Sequence, residues 1–367
     1  MHIRNIELKN FRNYQDLSMD FDEHVNLIIG PNAQGKTNLI EGICLTSIGR
    51  SFRTHHDADM IRFGEEEAYV KVECSKEVID TKVEVTINRR LKKSIRKDGN
   101  IIRRTSEILD NIIIVSFSPE DLRIVKDEPE KRRRFIDSEL AQIKPSYYRI
   151  LSDYKKTLLQ RNTYLKEESV DKAILSVWDE QLIRLGSEMM RLRKEFIDKI
   201  NVFSGDIHGR ITGGKEELTI GYDPNVPYKE GKEEREALFR EEMAKSLEND
   251  LRLRTTTRGP HKDDMQFFIG GVNVRNFGSQ GQQRTCALSL KLAELDFIRE
   301  ETGEEAILLL DDVMSELDEE RRAYLVMSLS ENQMFITGTD IDEGILEMYE
   351  EPKVIRVENG HAYNIEW

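Results

Sequence analysis

A chain of 367 residues, 38% hydrophobic and 34% charged, is a soluble globular protein with room for two domains, or for one large domain carrying an insertion. Its three cysteines, Cys44, Cys74 and Cys286, are scattered and form no CxxC pair, which excludes a disulfide framework and a zinc site. The opening MHIRNIELKN lacks an apolar signal core and no run of about 18 apolar residues occurs, so no membrane partner and a cytoplasmic location are expected.

The net charge of −14 is unevenly spread. Glu294 to Trp367 carries 21 acidic and 5 basic residues, which leaves the rest of the chain slightly positive. Local fields, not the average, attract polyanions. The acidic C-terminal segment repels DNA, so it is expected to face away from any DNA surface or to meet a protein.

In chain order, the first strong signal is VNLIIGPNAQGKTNLIEGI. Val25–Ile29 is an apolar run of strand length, Gly30–Thr37 fits GxxxxGK[ST], and Leu39–Ile48 has helical spacing, with its apolar residues largely on one side. Gly30 and Gly35 permit close backbone approach to phosphates, and the N–H groups of residues 33–37 with the helix dipole favour negative charge. Lys36 is expected to reach the β- and γ-phosphates and Thr37 to ligate Mg²⁺. Next, INRRLKKSIRKDGNIIRR (Ile87–Arg104) has 8 basic residues and 1 acidic. Asp98-Gly99 between two β-prone runs signals a hairpin. Arg89, Arg90, Lys92, Lys93, Arg96 and Lys97 are its candidate DNA contacts, to phosphates without base readout. No aromatics interleave, so duplex or gapped DNA is expected rather than stacking on single strands. EKRRRFID, with Arg132, Arg133 and Arg134, divides evenly between DNA contact and ion pairing with the acidic run nearby.

Residues 120–258 are helix-rich without sustained heptads, and Gly186, Gly205, Gly209, Gly213, Gly214, Pro224 and Pro227 are expected to break them into pieces. PHKDD (Pro260–Asp264) reads as a turn rather than a metal site. NFGSQGQQRTCALSLKLAEL then places small and polar residues at a helix start, where free N–H groups meet an anion or Ser279 caps the helix. In EAILLLDDVMSELDEERR, Ala306–Leu310 is a buried parallel strand ending in two acids. Asp311 is expected to hold Mg²⁺ through water and Asp312 to orient or deprotonate the attacking water.

Ser-x-Gly-Gln at Ser279–Gln282, followed 30 residues after Gly281 by Asp311, resembles the signature of ABC-type ATPases. In that superfamily one subunit's signature caps the γ-phosphate held by another's P-loop. Lys36 and Ser279 lie 243 residues apart, which fits the DNA-repair and chromosome-maintenance branch rather than the transporters. The ordered set LKNFRNY, GPNAQGKTNLIEGI, GRSFRT, FSPEDL, KRRRFID, RGPHKDDM, FGSQGQQRT and LLLDDVMSELD closely resembles the RecF family of bacterial recombination-mediator ATPases over nearly the whole length.

The resemblance implies an α/β fold, an ABC-type ATPase head with P-loop and mixed sheet (residues 1–119 and 265–367). A compact, mainly helical lobe (120–264) is inserted, with the signature helix at about 279–300 near its junction. It implies that Gly30, Asn32, Ala33, Gly35, Lys36, Thr37 and Asn38 hold ATP and Mg²⁺ and that Arg53 senses ATP or couples to DNA. Ser279, Gly281 and Gln282 would cap a partner copy's ATP, and Asp318 of SELD would line the seam. Asp312 stands where the family's catalytic glutamate would, and Gly338 or Thr339 where many relatives have a switch histidine, so weak, DNA-stimulated hydrolysis is expected. The implied partners are a second copy of the chain, double-stranded or gapped DNA, and RecR and RecO in loading RecA. Two other readings stay open: a transporter ATPase subunit, and a catalytically feeble DNA clamp.

Overall fold

The computed structural model describes every residue except 55, 77–79, 105–106, 110, 315–318, 330, 341–351 and 367. The chain divides into two compact units, Met1–Glu120 with Ile298–Trp367, and Asp121–Phe297.

β1 (His2–Phe11) and β2 (Tyr14–Asp20) form an antiparallel hairpin. β3 (Val25–Ile29), buried at all five positions, enters a different sheet and runs through the glycine-rich loop into α1 (Lys36–Ile48). β4 (Glu67–Ser75), β5 (Thr81–Asn88), β6 (Ser94–Lys97) and β7 (Asn100–Ile102) complete the first sheet, in the order β2-β1-β4-β5-β6-β7. Along β4 and β5 buried residues alternate with half-exposed ones, the pattern of an antiparallel sheet with one face on the core and one in water. On the wet face Lys71 bonds Glu7 on the neighbouring β1 (2.8 Å) and Glu73 two residues along its own strand (2.7 Å). The expected basic hairpin forms at β6–β7: its turn residues Asp98 and Gly99 have φ of 50° and 81°, the left-handed pair that a tight hairpin needs. Ile87 and Asn88 belong to β5, and Arg89, Arg90, Lys92 and Lys93 to the connection before β6, so of the candidate DNA contacts only Arg96 and Lys97 lie in that hairpin.

α1 corrects one expectation. Its apolar residues do not lie on one side; Leu39 to Ser47 are all buried. The helix packs against β1, β4 and β5 and also against a strand of the second sheet, so no face is left for water. β8 (Ile114–Phe117) then opens that second sheet's far edge.

The second unit contains α2 (Leu122–Lys126), α3 (Pro129–Ile143), α4 (Pro145–Tyr164), α5 (Lys172–Ile211), β9 (Leu218–Asp223) and α6 (Lys232–Leu253). β10 (Asp264–Ile269), β11 (Val272–Asn273), α7 (Val274–Phe277) and most of α8 (Gln280–Thr302) follow. α5 runs 40 residues straight through Gly186, Gly205 and Gly209, which therefore do not break it. Gly186 is a packing residue: a Cβ there would come within 2.5 Å of the Phe239 ring. The break comes at Gly213 and Gly214, both at positive φ. Residues 265–297, expected in the head, group with the second unit, where β10 pairs with β9 and β11.

The chain then returns to the first unit with β12 (Ile307–Leu310), α9 (Glu319–Ser328), β13 (Met334–Gly338), β14 (Lys353–Glu358) and β15 (His361–Ile365). The second sheet has the order β15-β14-β3-β13-β12-β8 and is parallel except for the β14–β15 hairpin. This is the mixed sheet expected of the head.

Candidate functional site

β3, β13 and β12 lie side by side, with Ile29 opposite Gly338 and Leu310 opposite Ile336. The loop after β3 and the acids after β12 therefore emerge at one edge, the carboxyl end of a parallel sheet, where α/β proteins bind ligands. The loop turns through unusual angles: Gly30 at φ 148°, Ala33 at 63° and Gly35 at 123°. A Cβ on Gly30 would lie 2.2 Å from the Val357 carbonyl oxygen, and one on Gly35 would lie 2.6 Å from the Asn13 amide. Glycine is thus required by packing as well as by φ.

Lys36 is 5% exposed, and its Nζ donates to the carbonyls of Gly30 (2.6 Å) and Pro31 (3.1 Å). Thr37 Oγ1 lies 3.4 Å from Asp311 Oδ1 across 274 residues of sequence. The same carboxylate oxygen accepts from Thr337 Oγ1 (2.8 Å), and the Asp312 N–H donates to that hydroxyl (3.0 Å). Thr337, which the sequence did not single out, thus positions both acids. Its only signal is its place at the end of a buried strand beside the P-loop strand. Asp312 sits at φ 53°, and burial, then the charge of Asp311, raises its pKa above the ordinary carboxylate value, with Lys36 opposing. A cavity of about 490 Å³ opens beside Asn32, Asp312, Thr337, Gly338 and Thr339.

A second layer fixes the loop. Asn13 Nδ2 donates to the Gln34 carbonyl (2.6 Å) and Tyr14 OH to the Gly35 carbonyl (3.0 Å). Asn38 Nδ2 holds Asn13 (2.8 Å), and Asn38 Oδ1 accepts from Arg53 (2.7 Å), which places Arg53 beside the loop's helix. Glu41, fully buried, accepts two bonds from Arg12 (2.8 and 2.5 Å). Arg12, Asn13, Tyr14 and Glu41 were not assigned roles from sequence; the positive φ of Asn10 (48°) and Arg12 (55°) shows why LKNFRNY makes so tight a corner. The donor set fits the expected ligands. Helix N–H groups and Lys36 suit phosphate oxygens, and the all-oxygen pair Thr37 and Asp311 suits a hard cation such as Mg²⁺.

At the start of α8, the Gln282 N–H donates to Ser279 Oγ (3.2 Å) and the Ser279 N–H donates to Gln282 Oε1 (2.9 Å). This is a reciprocal capping box, so Ser279 does cap the helix. Ser279 and Gly281 remain exposed, while the Gln282 amide also reaches Glu216 (2.9 Å). Asp318 lies outside the described residues.

The candidate DNA residues separate by their partners. Arg90 pairs with Glu66 (3.4 Å) and Lys93 with Asp57 (2.9 Å). Lys97 donates to Asn111, and Arg89 to the Glu65 carbonyl (2.8 Å). Lys92 and Arg96 are exposed and meet no side-chain partner among the described residues. KRRRFID is mainly structural. Arg132 is 1% exposed and bidentate to Asp264 (2.6 and 3.0 Å), a distant acid and not the run nearby. Arg133 donates to the Asp263 carbonyl, and Arg134 pairs with Glu130. PHKDD is likewise scaffold: Asp263 accepts from Tyr222, Arg193 and the Asn225 N–H, and no metal cluster occurs among the described residues.

Comparison with known proteins agrees with this geometry. The family model described as RecF/RecN/SMC N terminal domain matches residues 2–362. The DNA replication and repair protein RecF of Clostridioides difficile is 42% identical over 369 residues, covering 100% of this chain and 99% of the relative. This chain belongs to the RecF family. Among solved structures, the recombination mediator protein RecF-ATP in the RecFOR pathway superposes with a TM-score of 0.92 at 36% identity, covering 100% of this chain and 98% of the other. An Smc head bound to the C-winged helix domain of ScpA, at TM-score 0.57 and 16% identity, shares the fold alone. No helix of this RecF-family chain is long and apolar enough, among the described residues, to cross a membrane.

Proposed function

We propose that this chain is an ATP-dependent DNA-binding protein of recombinational repair, acting on gapped or stalled-replication DNA. The observation that carries the reading is the meeting of Thr37 and Asp311 beneath the Lys36 loop, joined through Thr337. Full-length kinship to RecF repair proteins, and to a RecF structure named with ATP, supports it. That kinship speaks against a transporter subunit.

Lys36 and the N–H groups of residues 33–37 bind the phosphates, with Gly30, Asn32, Ala33, Gly35 and Asn38 shaping the cradle. Thr37 and Asp311 would hold Mg²⁺, which would supply neutralisation of the phosphate charge. Asp312, held by its own N–H on Thr337, takes the proton of the attacking water. Its raised pKa makes it a better base than an ordinary aspartate, but its short side chain reaches less far, so hydrolysis is slow. Ser279, Gly281 and Gln282 of a second copy complete the pocket, so that ATP favours a paired state which closes on duplex or gapped DNA. ATP shifts that balance only by binding the pair more tightly than the single chain. Lys92 and Arg96 are the leading phosphate contacts. RecR and RecO are the expected protein partners and the cytoplasm the expected location, by kinship.

Sedimentation with Mg²⁺ and DNA tests the pairing. Mass is expected to double on adding ATP; a chain that stays single at saturating ATP overturns it. Ser279→Asp separates the two uses of Ser279, because Asp caps a helix well but repels a triphosphate. The variant should melt like wild type and fail to pair. A catalytically inert clamp is the answer instead if Lys36→Arg hydrolyses ATP as fast as wild type.

A further inference from the structure

Phe63 is fully exposed, 100% of its surface in water, whereas 8 of the chain's 14 phenylalanines are buried. It is not on a loose loop. The Glu65 N–H donates to the Arg62 carbonyl (3.1 Å) and Gly64 has φ 89°, so Phe63 stands at the corner of a tight turn. The Arg62 N–H is fixed to the Asn10 carbonyl (2.8 Å). The connection between β5 and β6 presents a second apolar apex, Leu91, 71% exposed. It too is held: Asn88 Oδ1 accepts from the N–H groups of Arg90 (2.9 Å) and Leu91 (3.1 Å). Arg89 ties the two turns together through its N–H to the Glu66 carbonyl (3.0 Å) and its Nε to the Glu65 carbonyl (2.8 Å).

The charges around these apices are not equivalent. Glu66 pairs with Arg90 and Asp57 with Lys93, while the Glu65 and Glu67 carboxylates accept from Asn10 and Asn88. Arg62, Arg89 and Lys92 have no carboxylate partner among the described residues. The cations left over therefore flank two apolar side chains held at rigid turns. Cations beside an inserted aromatic are the elements with which proteins hold a duplex and wedge a base step. Sequence spacing hides this, because Phe63 lies more than twenty residues before the basic stretch and only the β4–β5 pairing brings them together.

We propose that Phe63, with Leu91 beside it, stacks on an interrupted base step where a duplex meets a single-stranded gap, while Arg62, Arg89 and Lys92 hold the adjoining phosphates. This rests on the DNA-binding reading and adds which side chains contact the gap end. A gap end is preferred over continuous duplex because its terminal base pair is already open on one face, so no stacking has to be broken.

The test uses the full chain with ATP and Mg²⁺ and two DNAs of equal length, one continuous and one gapped. Each carries 2-aminopurine, at the gap-facing terminal pair or at the matching position. Wild type should bind the gapped DNA more tightly and quench the probe. Phe63→Ala should bind gapped DNA about 10-fold more weakly, lose the quenching, leave continuous duplex within about 2-fold, and keep its salt dependence. Phe63→Trp should restore all of it. Since the side chain touches nothing else, the melting temperature should not move. Unchanged gapped binding and quenching in Phe63→Ala overturn the proposal. If Lys92→Ala and Arg96→Ala still lower the salt slope there, general DNA binding survives that failure. If instead wild type binds neither DNA, the underlying reading is what fails. Loss of self-association in Phe63→Ala with intact DNA binding also overturns it, by making the patch a protein interface.

Discussion

Lys36 and Arg161 are both buried cations, one in each unit, and they are wired differently. Arg161 is 0% exposed and meets Asp179 (2.6 Å), Asp250 (2.7 Å) and Thr256 (2.8 Å), so its charge is matched within the fold. Among the described residues, Lys36 bonds two carbonyls of its own loop, which are neutral. Arg193, between Asp137 and Asp263, follows Arg161, and Arg132 on Asp264 does the same. A cation whose partners are carboxylates already in place serves as scaffold. One bonded to neutral carbonyls is expected to keep its charge for an anion from outside.

The contrast can be broken at several points. The largest effect is expected for Asp312→Asn, which should slow ATP hydrolysis about 1,000-fold with little change in melting, because Asn tolerates the same left-handed backbone. Since the Asp312 pKa is raised and the base must be ionised, the wild-type rate should fall with decreasing pH before an ordinary carboxylate would titrate. The residual rate of the variant should be flat there; a parallel fall would assign the proton elsewhere. Next, Arg161→Met should cost about 3–5 kcal/mol of stability by denaturant unfolding, through the carboxylates left unpaired. Nucleotide affinity at a temperature where the variant is folded should be unchanged; a change there would make Arg161 functional.

His261 gives a comparable, pH-dependent term. Burial lowers its pKa to about 4, and its neutral ring accepts from Tyr154 OH at Nδ1 (2.8 Å) and donates from Nε2 to the Thr256 carbonyl (3.0 Å). The unfolded chain takes up a proton near pH 6.5 that the folded chain refuses, so stability should drop as pH falls from there toward 4. The total is about 3 kcal/mol, and His261→Gln should flatten that slope. The smallest effect is expected at the cap: Ser279→Ala should cost about 1 kcal/mol, and Ser279→Asp almost nothing, in thermal melts.

The strand–loop–helix of the P-loop, the two acids after β12 and the Asp98-Gly99 turn were legible because local spacing or a special backbone angle dictates them. Thr337, Glu41 and Arg12 were not, since each acts only through a neighbour that the sheet brings to it. The roles of Gly186 and Gly205 in α5 were misjudged for a related reason: a glycine that admits Phe239 looks in sequence like one that ends a helix. The buried Arg132 in KRRRFID looks like part of a basic patch until Asp264 is seen opposite.

β3, completed within the first thirty residues, lies between β13 and β14, both of which come after residue 333. Gly30 itself abuts Val357. During synthesis on the ribosome, the phosphate loop therefore emerges early but has neither flanking strand until β13 and β14 have been made, far later in the chain. A nascent chain that has not yet reached β13 and β14 would be unable to build the cradle, which ties competence for the nucleotide to synthesis of those late strands.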